Sequence, residues 1–273
     1  MAVMVPASSL YVSEPPPHLF GNAGNEKKAT WTNGNWLKSR FHFSFAEYSD
    51  SKRSGFGVLR VMNDDLVQPA RGFGTHPHRN MEIVTYIVSG QLTHKDSMGT
   101  EETLGRGSVQ FMTAGTGVRH SEFNHDPEKP LRFVQMWLMP NRSGLKPNYG
   151  GREPAAPTER DGRWAHLAMP VSSKCSPDKP VPINCDANIY AAEIQPGKGL
   201  EFQVEAGRQA YVLCVEGSAR VGGLGGGKLV RHDGMQAVGP GVLSFTDAKP
   251  VGSTEILDPE PGCHLLVVEM SQR

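Results

Sequence analysis

Four side chains fall at the spacing of metal ligands carried on strands. His76-Pro-His78 and His120-Ser-Glu122 each set two donor residues two apart. Residues two apart in a β-strand point to the same face. Two such strands side by side would bring three imidazole nitrogens and one carboxylate oxygen to a single cation. That set is close in character to the 2-His-1-carboxylate arrangement, which leaves positions open for substrate or oxygen, and it lacks the thiolates of a structural zinc site. One His-x-His pair is a weak signal in a chain with 10 histidines. Here each pair follows a glycine-rich turn signal, Gly72-Phe-Gly-Thr75 before one and Thr113-Ala-Gly-Thr-Gly117 before the other. The repetition favours a metal site over a set of hydrogen-bonded structural histidines.

Other candidates are weaker. Glu82 lies four residues after His78 and could be a further ligand, but reads rather as an acceptor for an imidazole N–H or as an ordinary satisfied carboxylate. His94, His125, His166, His232 and His264 are isolated and are expected to be structural. Ser121 has no base and orienting group to make it a nucleophile. Gly222-Gly-Leu-Gly-Gly-Gly227 lacks the Lys-Ser/Thr and the helix of a phosphate loop, so it is expected to be a hairpin tip.

The elements that must position these residues are short and β-rich. The 273 residues include 31 Gly and 21 Pro, and glycine punctuates segments such as Glu82–Val88, Ser108–Met112, Leu131–Leu138 and Ala210–Val215. No long segment has a 3.6-residue apolar period, so the pattern predicts an all-β sandwich or barrel. Leu131–Leu138 carries bulk on both faces, with Phe133, Gln135 and Trp137 on one and Val134, Met136 and Leu138 on the other. That is expected inside a packed barrel or at a domain contact. The stretch from Pro140 to Arg163, and a second from Ser172 to Pro182, read as linker with few residues to anchor a strand. Similar strand–Gly–strand patterns on either side suggest a duplicated β-domain, divided as 1–150 and 151–273. Residues 1–25, with Pro15-Pro-Pro17, are expected to be partly disordered.

Lys and Arg total 28, as do Asp and Glu, so the net charge is zero. That argues against coating nucleic acid or an acidic membrane by bulk electrostatics. No apolar run reaches 18 residues, so no membrane span is expected. The start of the chain reads poorly as a secretory signal. Cys175, Cys185, Cys214 and Cys263 contain no CxxC and suit a reduced, cytoplasmic protein with cysteines packed as small apolar residues.

At His76-Pro-His-Arg-Asn-Met-Glu82 and Thr113-Ala-Gly-Thr-Gly-Val-Arg-His-Ser-Glu122 the sequence resembles the pirin family of the cupin superfamily. Trp36–Ala46, Gly55–Asn63 and His94–Gly99 extend the likeness, which is nearly continuous from about Trp31 to Tyr149 and faint after residue 165. It is closer to the bacterial pirin-like quercetin dioxygenases than to vertebrate pirin, from which Arg79-Asn-Met81 departs. The resemblance implies a bicupin of two face-to-face jelly-roll β-barrels. It implies one metal, usually iron, on His76, His78, His120 and Glu122, though such a site could also accept Mn, Ni, Co, Cu or Zn. It implies a C-terminal barrel without ligands, in keeping with the stretches Glu205–Ala210 and Phe245–Asp247. It further implies opening of the central ring of a flavonol such as quercetin with O2 and release of carbon monoxide. Glu122 would accept the proton of a flavonol hydroxyl whose pKa the metal lowers. Phe73, Phe111 and Met112 are candidates for the barrel mouth, although Phe111 and Met112 cannot both face inward on a regular strand. Two alternatives follow from the same likeness: a non-catalytic, metal- or redox-sensing regulator with a protein partner, and another cupin reaction such as isomerisation.

Overall fold

The computed structural model describes residues 1–24, 35–156, 158–173, 178–247 and 262–272. Trp31, Cys175 and part of the second linker stretch lie outside the described residues. Within them the chain is nearly all β, and no helix is long and apolar enough to cross a membrane. The first half contributes β1 (Ala2–Val5), β2 (Tyr11–Ser13), β3 (Leu37–Phe41), β4 (Leu59–Val67), β5 (Arg71–His78), β6 (Glu82–Ser89), β7 (Leu92–Asp96), β8 (Glu101–Leu104), β9 (Val109–Thr113), β10 (Val118–Asn124), β11 (Leu131–Leu138) and β12 (Asn148–Arg152). The second contributes β13 (Ala165–Pro170), β14 (Val181–Ile183), β15 (Ala187–Ile194), β16 (Gly199–Val204), β17 (Arg208–Gly223), β18 (Gly227–Val230), β19 (Gly234–Val238), β20 (Gly241–Asp247) and β21 (Cys263–Ser271).

These strands build two cupin domains of jelly-roll type. In the first, a seven-stranded sheet ordered β12-β9-β6-β11-β4-β3-β2 accompanies a four-stranded sheet ordered β5-β10-β7-β8. The second half forms a ten-stranded system around the path β1-β19-β17-β21-β15-β13-β14. Every residue from Glu82 to Val88 is buried, as is all of β9. A strand buried on both faces needs a packing partner on each. The second half supplies one: Val84, Tyr86, Val134, Met136 and Leu138 share a single core with Ile189, Tyr211, Leu213 and Leu266. This explains the two-faced character of β11. Phe133 packs with Trp36 and Leu104 inside the first domain, Trp137 faces a cavity, and the alternate residues meet the second domain. Phe111 likewise turns to the shared core, while Met112 packs with Ile83 and Val118.

A buried ion pair also joins the halves. The Arg132 guanidinium donates Nε and Nη2 to the two Asp64 carboxylate oxygens, both at 2.8 Å, and Nη2 reaches the Val215 carbonyl at 2.7 Å. His232 Nδ1 lies 2.6 Å from Asp64 Oδ2.

Three local expectations change. Residues 1–24 are not disordered: β1 pairs with β19, β2 pairs with β3, and Phe20 packs on Trp36 and Phe73. Within the expected linker, Asn148–Arg152 forms β12 on the edge of β9. Backbone pairing holds it, and Gly150 lets it approach the Phe111 ring, where a Cβ would sit 2.7 Å from Cε1. Gly72–Thr75 belongs to β5 rather than to a turn. The Ala114–Gly117 segment does turn, linking β9 to β10; Gly115 has φ +46, and a side chain there would collide with the Leu145 carbonyl. Gly223 and Gly227 flank a hairpin tip, as expected.

Candidate metal centre

Antiparallel pairing of β5 with β10 assembles the site. His120 stands opposite His76, and Val118 opposite His78. Burial alternates along β10, from Val118 through His120 and Glu122 to Asn124, while Arg119 is exposed and Ser121 and Phe123 are intermediate. His76 and His78 face the same way, with Thr75 and Pro77 turned to solvent. One ring nitrogen from each of His76, His78 and His120 lies within 4.8 Å of the others. The ring centroids are 4.6 to 4.7 Å apart.

The hydrogen bonds around these rings show which nitrogens carry lone pairs. His76 Nδ1 lies 2.7 Å from the Gly74 carbonyl, which only accepts, so Nδ1 holds the proton and Nε2 the lone pair. Behind His120 stands His94, Nδ1 to Nδ1 at 3.3 Å, and His94 Nε2 lies 3.0 Å from Asp96 Oδ2. The carboxylate fixes the His94 proton on Nε2. His94 Nδ1 then accepts from His120 Nδ1, and His120 Nε2 is left as a donor to a metal. Burial alone would raise the Asp96 carboxyl. Hydrogen bonds from His94 and from the Thr100 and Met98 backbone outweigh it and hold that group below its ordinary value.

Electrostatics keep the His78 and His120 rings neutral. Burial, reinforced by the neighbouring imidazoles, lowers His78 to about 3 and His120 to about 2. The Nε2 atoms of His78 and His120 are buried with no hydrogen-bond partner among the described residues. A buried polar atom without a partner is costly, and a divalent cation would satisfy both. Three imidazoles with converging ring nitrogens therefore fit a metal.

Glu122 is brought near but not into this group. A register shift between His120 and Glu122 sets Glu122 opposite Phe73, one residue farther along β5 than regular pairing would. Its carboxylate accepts from Gln135 Nε2 at 2.7 Å on Oε2 and from Gln110 Nε2 at 3.1 Å on Oε1. Gln135 is held in turn by Trp137 Nε1 at 2.9 Å, and Tyr149, stacked on His94 at 4.1 Å, points its hydroxyl at Glu102 and Gln110. The imidazoles of His76 and His78 and the Glu122 carboxylate line a cavity of about 420 Å³. Its other walls include Leu37, Phe41, Phe45, Phe73 and Trp137.

Sequence reasoning missed His94, Gln110 and Gln135. His94 and Asp96 are themselves two apart, the signal that could have found the pair; the glutamines carry none. Glu82 is not an acceptor for an imidazole. It takes hydrogen bonds from Thr113 Oγ1 and the Asn184 backbone, both at 3.0 Å, on the side facing the second domain. A second His/carboxylate group, Glu193, Glu216 and His264, differs in kind. Arg106 bonds to Glu193 and Glu216, Arg160 to Glu193, and Tyr86 to His264 Nε2, so this group is a satisfied ion-pair network.

The jelly-roll with histidines converging from adjacent strands defines a cupin. Residues 24–138 match the family model described as Pirin, and residues 171–257 match one described as Quercetinase C-terminal cupin domain. A relative from Pseudomonas aeruginosa is 42% identical over 192 residues, 70% of this chain and 81% of its own length. A protein from Escherichia coli named quercetin 2,3-dioxygenase is 36% identical over 203 residues, 74% of this chain and 83% of its own. The crystal structure of the bacterial pirin YhhW from Escherichia coli in complex with nickel(II) is 28% identical, matches with a TM-score of 0.79 and covers 100% of both chains. The chain belongs to the pirin family.

Proposed function

We propose that the protein is an iron(II)-dependent dioxygenase that opens the central ring of a flavonol such as quercetin with O2 and releases carbon monoxide, with His76, His78 and His120 as metal ligands and Glu122 as ligand or base. One observation carries this reading: the unpartnered Nε2 atoms of His78 and His120 converge with His76, and His76 and His78 line an apolar cavity that also holds a carboxylate. Iron(II) held there would act as a Lewis acid toward a phenolic O–H and as a redox partner for O2.

The chain's own groups do the rest. Phe41, Phe45, Phe73 and Trp137 form walls suited to a flat aromatic ligand and exclude water. Gln110 and Gln135 orient the Glu122 carboxylate. Oε1 accepts from both Gln110 and the Thr85 hydroxyl, whereas Oε2 accepts only from Gln135 and keeps a lone pair that can take the hydroxyl proton. The resulting flavonolate is electron-rich, as attack by O2 requires. The relative named quercetin 2,3-dioxygenase supports the same chemistry. Cys185, Cys214 and Cys263 are buried, in keeping with cysteines packed as small apolar residues in a reducing cytoplasm.

The test is chelation, reloading with iron(II) and aerobic incubation with quercetin. Loss of flavonol absorbance with O2 uptake and CO release is expected, and His120→Ala abolishes it. Metal binding with no flavonol turnover would favour the regulatory reading instead.

A further inference from the structure

The cavity wall opposite the imidazoles carries polar groups that the chemistry above does not use. β3, β4 and β11 lie side by side, and their register aligns two rows. Phe41, Asn63 and Gln135 form one; Ser39, Asp65 and Phe133 form the next. Ser39, Asn63, Asp65 and Gln135 all line the cavity. Gln135 holds Glu122, so Asn63 stands one strand away from the carboxylate's own partner. The Ser39–Asp65 row lies two residues farther, about 7 Å at the rise of a β-strand.

These groups are otherwise hard to explain. Asn63 is 4% exposed, and its Oδ1 is buried with no hydrogen-bond partner among the described residues. An amide oxygen left so in an aromatic-walled cavity costs stability unless something donates to it. Asp65 is 3% exposed, is hydrogen-bonded by Ser39, and has no cation among the described residues that acts on it. Burial pushes its carboxyl up to about 8, so it is protonated at neutral pH and can itself donate.

We infer that Asn63, with Asp65 and Ser39, is a second polar pole of this cavity that binds a hydroxyl on the ligand part remote from the metal, and so selects polyhydroxylated over bare aromatic ligands. Asn63 Oδ1 accepts from that hydroxyl, and the Asp65 carboxyl, which Ser39 hydrogen-bonds and orients, can donate to its oxygen. The apolar walls between the poles hold the ring system. This rests on the flavonol reading and adds which hydroxylation pattern the site reads.

The test compares quercetin with 3-hydroxyflavone, which keeps the ring system and the 3-hydroxyl but lacks the others. Both are titrated calorimetrically into metal-free protein, wild type and the variants Asn63→Leu and Ser39→Ala, with folding checked by thermal melting. Wild type is expected to prefer quercetin by about tenfold, the scale of one or two added hydrogen bonds. Asn63→Leu should remove most of that preference and Ser39→Ala part of it, quercetin losing more affinity than 3-hydroxyflavone in each. An unchanged preference in both variants, or equal weakening of both ligands, overturns the inference and leaves the flavonol reading standing. Wild-type protein that binds neither ligand and turns over neither when loaded with iron(II) overturns both.

Discussion

His94 stands behind His120, Nδ1 to Nδ1 at 3.3 Å, and is held in turn by Asp96. The pair fixes the proton on the far side of the His120 ring and aims the lone pair at the cluster. His94→Leu should keep all three imidazoles yet weaken metal binding by about 10–100-fold, the usual cost of losing such a partner. Competition against a chromophoric chelator measures it; wild-type affinity in the variant would refute the role.

Glu122 lies beside the three nitrogens rather than among them. Glu122→Gln should therefore retain metal within a few-fold of wild type while flavonol turnover falls by about 100-fold or more, the range for a lost general base. Metal analysis and a turnover assay on the same preparation separate the two effects. A variant that loses its metal would make Glu122 a ligand first.

Asp65 predicts a pH dependence. The unfolded carboxyl releases its proton near pH 4, whereas the folded one holds it to about 8. Between those values the folded carboxyl binds more protons than the unfolded one, so this group's contribution to stability falls as pH rises through the window, against the opposite trend from buried histidines such as His78 and His120. Asp65→Asn should flatten that fall. Urea unfolding of metal-free protein at pH 5 and pH 8 checks it, and equal slopes in variant and wild type would contradict it.

Asp64 and Arg132 join the two domains inside the core, at 1% and 2% exposure. Asp64→Ala leaves the guanidinium buried without its anion and should cost about 3–5 kcal/mol. Chemical denaturation gives the value directly.

The three imidazoles were legible because period-2 spacing survives folding: His76 and His78 share a face, and β10 brings His120 opposite. The all-β class was legible from glycine spacing. The offset of Glu122 was not, because a bulge is a property of pairing between two strands and neither strand states it alone. His94 was hidden for a similar reason. Its neighbour His120 is 26 residues away and reaches it only through β10–β7 register. β12 was unreadable because backbone bonding to an edge needs few apolar side chains. The second polar pole of the cavity depends on three strands coming into line, which no local pattern announces.

The pairing of β1 with β19 has a kinetic consequence. The Met1 amine meets the Val238 carbonyl across 237 positions of sequence. Contacts between such distant segments form late and slow a chain's folding. Until β1 arrives, one side of β19 offers its amides and carbonyls to any neighbouring strand, and such open edges invite association between incomplete chains. The opening residues act as a stopper, seated only when nearly the whole chain is present to receive them.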